Sequence, residues 1–365
     1  MKNTQTFRVE KIDIETPDTK TFHLRHVRGT LKVPRTYVSG QFLTLISMVN
    51  GEEIRRSYSL SSSPIADDLM SITVKRVANG EISRQLCDHT QVGDTLEALL
   101  STGRFVLPKS FNKVKHYFFI VAGSGITPVF SMIKTLLHSG YKGQMTLIYQ
   151  SKNAENTIFY DKIVHYTVTQ SVMAQNALKG GKNLNVQYFF SRPTDEKPPT
   201  YLNKDVLTAI LEQKLKVKKQ DAAFYLCGST AYMRMASMTL HFLDFEDKQI
   251  HREDFVVPKF QEYVALKDFG QPARLTIHFQ KKTYNIDVPY KTTLLDAALN
   301  NGIDLPYSCK GGVCTTCFCK TIKGKAIMPS NDKLFEEEIL RGGILSCIAY
   351  ADTEAVEIMV KYFKE

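Results

Sequence analysis

Cys309-Lys310-Gly311-Gly312-Val313-Cys314-Thr315-Thr316-Cys317, with Cys347 following after 29 further residues, is the stretch on which the fold of the C-terminal part turns. The pattern C-x4-C-x2-C with a distant fourth cysteine offers four thiolates to two irons, three of them from one tight loop. Gly311, Gly312, Thr315 and Thr316 are small enough for that loop to wrap inorganic sulfides and turn backbone N–H groups toward them. Structural zinc is the competing use of such thiols, but it favours paired C-x2-C knuckles, and this chain has one. Cys309, Cys314, Cys317 and Cys347 are therefore expected to ligate a [2Fe–2S] cluster. Cys319 would alternate to the other face of an extended strand and is expected to pack; Cys87 is expected to be an ordinary buried thiol.

Outward from this loop, a helix over Leu294–Asn300 and a hairpin over 274–279 and 283–288 precede it, after a connecting segment that ends at Gly270 and Pro272. Upstream, from Tyr117 onward, the pattern is strand–helix alternation. A buried strand over 117–122 runs into a Gly-rich turn and a helix over 129–137, and strands follow at 144–149, 186–190 and 223–226. That alternation predicts a doubly wound parallel sheet. Residues 165–184, polar and carrying Gly180-Gly181, read as an irregular excursion. Before residue 108, short alternating strands at 7–12, 21–24, 41–46 and 71–77 suit an antiparallel β-barrel. The expected domains are thus a barrel over 1–110, an α/β domain over 111–259, a linker over 260–272 and an α+β domain over 273–365.

Composition bounds the function. Hydrophobic residues at 43% and charged residues at 23% are ordinary for a globular chain. No run of apolar residues is long enough to span a membrane, and Met1–Gln5 lead into a strand pattern with no signal-peptide core, so a cytoplasmic location is expected. The net charge is +10, yet residues 273–365 carry 12 Lys+Arg against 11 Asp+Glu, so the excess lies upstream. A basic front portion suits the phosphates of a nucleotide or an acidic protein partner. No segment gathers Lys and Arg into a stripe, so nucleic acid is not expected. Five of the seven cysteines lie between 309 and 347, which points to metal rather than disulfides.

Arg56-Ser57-Tyr58-Ser59 matches the R-x-Y-[ST] motif of the ferredoxin–NADP reductase superfamily. Gly40-Gln41-Phe42, Val74-Lys75-Arg76-Val77 and Gly80-Glu81-Ile82-Ser83 resemble further elements of that family's flavin barrel. The resemblance implies that Tyr58 stacks on the isoalloxazine, Arg56 neutralises the pyrophosphate within a motif that includes Ser57, and Ser59 faces flavin N5 as a catalytic hydroxyl. It implies too that Val74 and Lys75 contact the ribityl region, while Gly80, Ile82 and Ser83 cradle the pyrophosphate at a helix N-terminus. Gly123-Ser124-Gly125-Ile126-Thr127-Pro128 resembles the family's G-x-G-x-x-P nicotinamide turn. Gly123 and Gly125 let phosphate approach the backbone, and Pro128 suits a first helical turn with Thr127 as its cap. Ser191-Arg192 resembles the pair that holds the 2′-phosphate of NADPH, with Ser151, Lys152 and Tyr201 expected nearby. Cys227-Gly228 matches the turn beside the nicotinamide, where the cysteine packs at the hydride-transfer site; Ser229 departs from the C-G-P often found there. His251, Glu253 and Phe255 fit an H-x-E-x-F pattern that implies Phe255 near the flavin.

Residues 273–365 resemble a plant-type ferredoxin domain, of β-grasp fold, including Leu305-Pro306-Tyr307-Ser308 before the loop and Met328, Asn331, Leu334 and Leu345-Ser346 after it. The whole resembles the reductase components of multicomponent oxygenases, that of phenylacetyl-CoA epoxidase in particular. The resemblance implies an oxidoreductase passing electrons from NADPH through FAD and the [2Fe–2S] cluster to an oxygenase, an epoxidase or another metalloenzyme. FMN for FAD, NADH for NADPH, a ring-hydroxylating oxygenase or desaturase as acceptor, and a redox sensor without turnover are the alternatives.

Overall fold

The computed structural model describes residues 4–27, 37–49, 51–176, 183–194, 196–255, 270–331 and 333–360, with backbone alone for 169–176. These fall into two compact units, one of Thr4–Ile54 with Tyr58–Asp254, the other grouping Arg55–Ser57 with the described residues of Phe255–Glu365. The expected linker lies outside the described residues as far as 269. No helix among the described residues is long and apolar enough to cross a membrane.

The first unit begins with strands β1 (Thr4–Thr16), β2 (Thr19–His26), β3 (Phe42–Val49), β4 (Glu52–Ser59, of which Arg55–Ser57 group with the other unit), β5 (Met70–Lys75) and β6 (Thr95–Thr102), in the order β4-β3-β6-β1-β2-β5. An antiparallel bridge between Leu60 and Ile72 joins the two ends, so the sheet closes on itself as the alternating pattern predicts. Phe7, Val9, Phe22, Leu24, Leu43, Leu45, Ile72 and Val74 fill the interior. Helix α1 (Glu81–His89) covers it with Ile82, Leu86 and Cys87.

The same unit continues as a parallel sheet of β7 (His116–Ala122), β8 (Gln144–Ser151), β9 (Leu184–Phe190), β10 (Ala222–Cys227) and β11 (Ile250–Glu253), ordered β11-β10-β7-β8-β9. The strand order reverses between β7 and β10, and in such sheets ligands bind outside the carboxyl ends at that switch. Helices α2 (Ile126–His138), α3 (Tyr160–Asn176), α4 (Lys204–Lys214) and α5 (Thr230–Phe242) complete this layer. Period-two alternation is visible in β7: Tyr117, Phe119 and Val121 enter one core, Phe118 and Ile120 the other. A polar seam runs from α2 to the loop after β4, where Lys134 pairs with Asp67 at 2.5 Å and Ser131 donates to the Ser62 carbonyl.

Two expectations change here. The stretch from 165 is not irregular but continues α3 to Asn176, while 177–182 lie outside the described residues. Ile163 is buried and Tyr166 packs at the margin of the core, too little apolar content to give a helical period in the sequence. Helix α2 also starts at Ile126, because the turn at Gly123–Gly125 is 3-10 and runs straight into it. Thr127 is therefore inside the helix, not its cap; its hydroxyl donates to the Ser124 carbonyl at 2.9 Å.

His116 opens β7 at 2% exposure, its ring stacked on Phe118 and Nε2 2.9 Å from the Thr146 hydroxyl, while Nδ1 has no partner. Burial pushes its pKa down to about 4. The folded form binds the proton less readily than the unfolded chain. Stability from this group is therefore whole above the unfolded value near 6.5 and is lost as pH falls toward 4. Of the order of 3 kcal/mol is expected from a shift of this size. Denaturant melts at about pH 7 and about pH 4.5 check it, since His116→Phe should show a smaller drop between them than the parent protein.

The second unit holds a mixed sheet of β12 (Ala273–Phe279), β13 (Lys282–Val288), β14 (Phe318–Lys323), β16 (Gly343–Leu345) and β18 (Ala355–Val360), ordered β13-β12-β18-β14-β16. A small ladder pairs β15 (Ala326–Ile327) with β17 (Tyr350–Ala351). Helix α6 (Leu294–Asn300) packs Leu294, Leu295, Ala297 and Ala298 into the core. Its N-terminus is capped by the Thr293 hydroxyl, which accepts from the Asp296 N–H at 3.0 Å. Helix α7 (Glu336–Leu340) precedes β16. The hairpin and α6 match the expectations within a residue at each end.

Candidate functional site

The four cysteines expected as ligands meet in the second unit. Cys309, Cys314 and Cys317 lie on the loop between α6 and β14, and Cys347 closely follows β16. Ser346 donates through both its N–H and its hydroxyl to the Cys317 carbonyl at 3.1 Å, which sets Cys347 beside Cys317 with their sulfurs 3.2 Å apart. The start of α6 steadies the far side, with the N–H groups of Leu294 and Leu295 on the Ala349 and Ser346 carbonyls.

The loop is wound tightly enough to put Lys310, Gly312 and Thr315 at φ values of 50°, 72° and 56°. Gly312 is required twice over: its φ is left-handed, and a Cβ there would lie 2.5 Å from Ile348 Cδ1. Backbone N–H groups point at sulfur, Gly311 to Cys309 at 3.4 Å and Cys309 to Cys314 at 3.5 Å. Hydrogen bonds from Cys314 and Cys347, then those from backbone, hold the Cys309 thiol far below its ordinary range. Cys314 and Cys347 are pushed up, chiefly because they share protons with Cys309.

Among the described residues no three His, Cys, Asp or Glu side chains are arranged around a single metal ion. The thiols lie close together, Cys317 beside Cys347 and Cys309 beside both Cys314 and Cys347, in a lining of sulfur, backbone N–H and the Thr316 hydroxyl next to Cys314. Such a donor set suits a cluster of two irons whose sulfides accept N–H bonds. Cys319 lies in β14, 1% exposed in the apolar core, where burial raises its pKa.

The second constellation lies at the switch point of the parallel sheet. Gly123 and Gly125 form the turn after β7, and Cys227-Gly228 ends β10 next to it. The two turns touch through bare backbone: a Cβ on Gly125 would stand 2.1 Å from the Cys227 carbonyl oxygen, and one on Gly228 2.9 Å from Ala122 Cβ. Pro128 and Thr127 are buried in the first turn of α2, and Cys227 is wholly buried. The Tyr149 hydroxyl donates to the Gly123 carbonyl at 3.0 Å, an anchor that sequence reasoning did not identify.

At the ends of β8 and β9 the expected phosphate-binding residues are laced together. The Ser191 N–H donates to the Ser151 carbonyl at 3.0 Å and the Arg192 N–H to the Lys152 carbonyl at 2.7 Å. Lys152 and Arg192 are exposed, so two cationic side chains rise from one shelf. The Ser151 hydroxyl is turned inward to Thr157. Tyr201, 57% exposed, donates its hydroxyl to the Ser191 carbonyl at 3.2 Å, leaving its ring at the rim.

The third constellation is on the barrel. Strand alternation puts Arg56 and Tyr58 on one face of β4 and Arg55, Ser57 and Ser59 on the other. Arg56 is exposed, and Tyr58 is half-buried against the barrel core. Val74 is buried, and Lys75 lies 3.4 Å from Asp18. The Ser83 hydroxyl accepts from the Val77 N–H at 3.1 Å and donates to the Gly80 carbonyl at 3.0 Å, so it closes the turn before α1. What Ile82 and Ser83 can present to a phosphate there is backbone N–H, whereas the Gly80 N–H is donated to the Val77 carbonyl at 3.0 Å. The Ser59 hydroxyl, 5% exposed, donates to the Glu253 carboxylate at 3.4 Å. Glu253 stood in the sequence pattern without a role, and a contact across 194 positions leaves no local signal. Ser57 makes a side-chain contact with Ser308, at 2.5 Å, and Phe255, 45% exposed, groups with the C-terminal unit.

Comparison with known proteins follows this division. Residues 6–107 match the oxidoreductase FAD-binding domain family, 119–238 the oxidoreductase NAD-binding domain family and 277–352 the 2Fe-2S iron-sulfur cluster binding domain family. The chain is 32% identical to a component of the 1,2-phenylacetyl-CoA epoxidase of Escherichia coli, over 96% of both proteins. It is also 32% identical to the ferredoxin reductase component of 3-ketosteroid-9-alpha-monooxygenase from Mycobacterium tuberculosis, over 88% of this chain and 85% of that one. In fold it resembles phthalate dioxygenase reductase, with a TM-score of 0.58 at 21% identity over 98% of each chain.

Proposed function

The chain belongs to the family of FAD- and 2Fe-2S-containing reductase components of multicomponent oxygenases, and within it we propose a reductase that draws on NADPH and serves an oxygenase of the phenylacetyl-CoA epoxidase kind. When bound, the nicotinamide and FAD supply hydride transfer and the [2Fe–2S] cluster carries single electrons. The protein's share is placement. Gly125 and Gly228 let the two turns at the switch point pack backbone to backbone, with the Cys227 side chain buried beneath them. Tyr58 is offered as a stacking face and Arg56 as an exposed cation on the same side of β4. Ser59, held by Glu253, can move a proton between a carboxylate and a ring nitrogen set before it. Cys309, Cys314, Cys317 and Cys347 are assigned as the iron ligands. The domain boundaries proposed with this reading are 1–110, 111–259 and 273–365, and a cytoplasmic site of action goes with its fuel.

The observation behind NADPH is the shelf where Arg192 and Lys152 are tied side by side. A guanidinium fork beside a serine suits a 2′-phosphate, whereas recognition of the bare ribose hydroxyls calls for a carboxylate. Arg192→Ala should raise KM for NADPH roughly tenfold, the low end for a charged hydrogen bond because Arg192 is exposed. KM for NADH should scarcely move. Equal losses with both coenzymes would overturn the NADPH assignment.

The same 32% identity to the steroid monooxygenase reductase, over a smaller share of both chains, favours that class of oxygenase as a second reading. Steady-state coupling to each oxygenase, supplied in turn, separates the two. The true partner should turn over its substrate with stoichiometric consumption of reduced coenzyme, and the other should only leak electrons to oxygen.

A further inference from the structure

Arg55 is a buried cation: its side chain is 5% exposed, although it sits next to the exposed Arg56. A guanidinium out of water must be compensated by partners of good geometry. Arg55 finds partners in the stretch just ahead of the first cluster cysteine. Its Cζ lies 3.9 Å from the centroid of the Tyr307 ring, Nη1 donates to the Tyr307 carbonyl at 3.3 Å, and Nη2 approaches Asp304 Oδ1 at 3.4 Å. Both N–H···O contacts are long, so the stack on Tyr307 is the best formed of the three. Two residues along β4, the Ser57 and Ser308 hydroxyls meet at 2.5 Å. Residues 307 and 308 are thus each gripped by this strand segment, and 309 is the first cluster cysteine.

We propose that Arg55 is a positioning residue for the cluster loop, its guanidinium seating 304–308 so that Cys309 is presented in one place. The proposal rests on the reading of Cys309 as a cluster ligand. Its physical content is the planar fork: one flat cation can lie on a ring and donate from its edge to the carbonyl of the same residue. Lysine, a point charge on a flexible stem, can do one or the other. Lys310 shows the difference, since its Nζ stands 5.2 Å from the same ring while its contact at 3.0 Å is with Asp296. A loop with left-handed φ values at Lys310, Gly312 and Thr315 lacks a regular ladder of hydrogen bonds to resist movement, so its entry point needs an external hold. Because electron tunnelling decays exponentially with distance, a small wandering of Cys309 degrades any hop that enters through the cluster.

The test uses the full-length protein carrying its flavin and cluster, with Arg55→Lys and Arg55→Met. Deuterium uptake in peptides covering 303–309 should rise in both variants, while β14 and β18 keep their protection. The EPR signal of the dithionite-reduced cluster should broaden as Cys309 samples more positions. Ferricyanide, which drains the flavin, should be reduced within about twofold of the parent rate, and the ratio of cytochrome c to ferricyanide reduction should fall roughly tenfold, as misplacing a reacting group does. Unchanged uptake and an unchanged ratio in both variants would overturn the proposal, as would a uniform rise in uptake across the unit, which marks general loosening. Failure of the parent protein itself to reduce either acceptor would count against the functional reading alone, because the uptake comparison still decides the role of Arg55.

Discussion

Cys314→Ser is expected to abolish cytochrome c reduction while NADPH still bleaches the flavin absorbance at the parent rate. The serine oxygen is harder than sulfur and its bond is shorter, so it is a poor ligand for a centre that selects soft thiolates. The defect also spreads. Cys314 is tied directly to Cys309, whose backbone N–H points at its sulfur at 3.5 Å. Removing one corner therefore loosens the loop that carries three of the four proposed ligands. Iron content should fall from about two per chain toward none, since all-cysteine sites hold [2Fe–2S] clusters by every one of their thiolates. Iron analysis and stopped-flow absorbance at the flavin band measure the two halves of this expectation separately. Cytochrome c activity at the parent level in a variant free of iron would remove the cluster from the electron path.

Gly125→Ala should cost nearly as much, and for a reason of packing rather than conformation. The backbone at Gly125 has φ of −61°, open to any residue. What forbids a side chain is the neighbouring turn: the added Cβ would stand 2.1 Å from the Cys227 carbonyl oxygen and 2.5 Å from its carbon, both backbone atoms. Relief requires the ends of β7 and β10 to part, which opens the crevice at the switch point. Overpacking of this kind costs about 1–3 kcal/mol in stability. Misplacing the nicotinamide by even an ångström should slow flavin reduction about a hundredfold. Gly123→Ala is the control. That residue has φ of 54° but nothing within 4 Å of its added Cβ, so alanine there strains the backbone without parting the two strand ends. Rapid-mixing rates with NADPH should rank parent, Gly123→Ala and Gly125→Ala in falling order, and dithionite should still reduce the flavin in all three. A Gly125→Ala protein reduced by NADPH as fast as the parent would mean that the coenzyme does not use this turn.

Much of the architecture was readable from local pattern. Alternation marks the strands of the barrel, and a continuous apolar run at 117–122 marks a strand buried on both faces. Turn residues separate the elements. The reading failed where burial was thin. Helix α3 past residue 165 has Tyr166 at the margin of the core, and none of its described side chains there is fully buried, so no apolar stripe betrays it. It failed also at Thr127. A cap is recognised by its residue type, yet the turn before it is 3-10 and runs straight into the helix, with the Tyr149 hydroxyl on the Gly123 carbonyl and the Cys227 backbone against Gly125.

The chain's own order of residues determined its chemistry: four cysteines at cluster spacing, two glycines after a buried strand, an aromatic beside a cation on one strand face. Those signals are local, because a loop that wraps sulfides or a turn that admits phosphate is built within a dozen or so neighbouring positions. Only the folded molecule decided which partners complete each site. Glu253 reaches Ser59 across 194 positions, and Arg55 reaches Tyr307 across 252. A doublet such as Arg55-Arg56 reads as two equal charges until strand alternation and packing bury one and leave the other in water. The physical reason is that burial, which sets what a charge or a hydroxyl must find as a partner, belongs to the tertiary arrangement and not to any stretch of the chain.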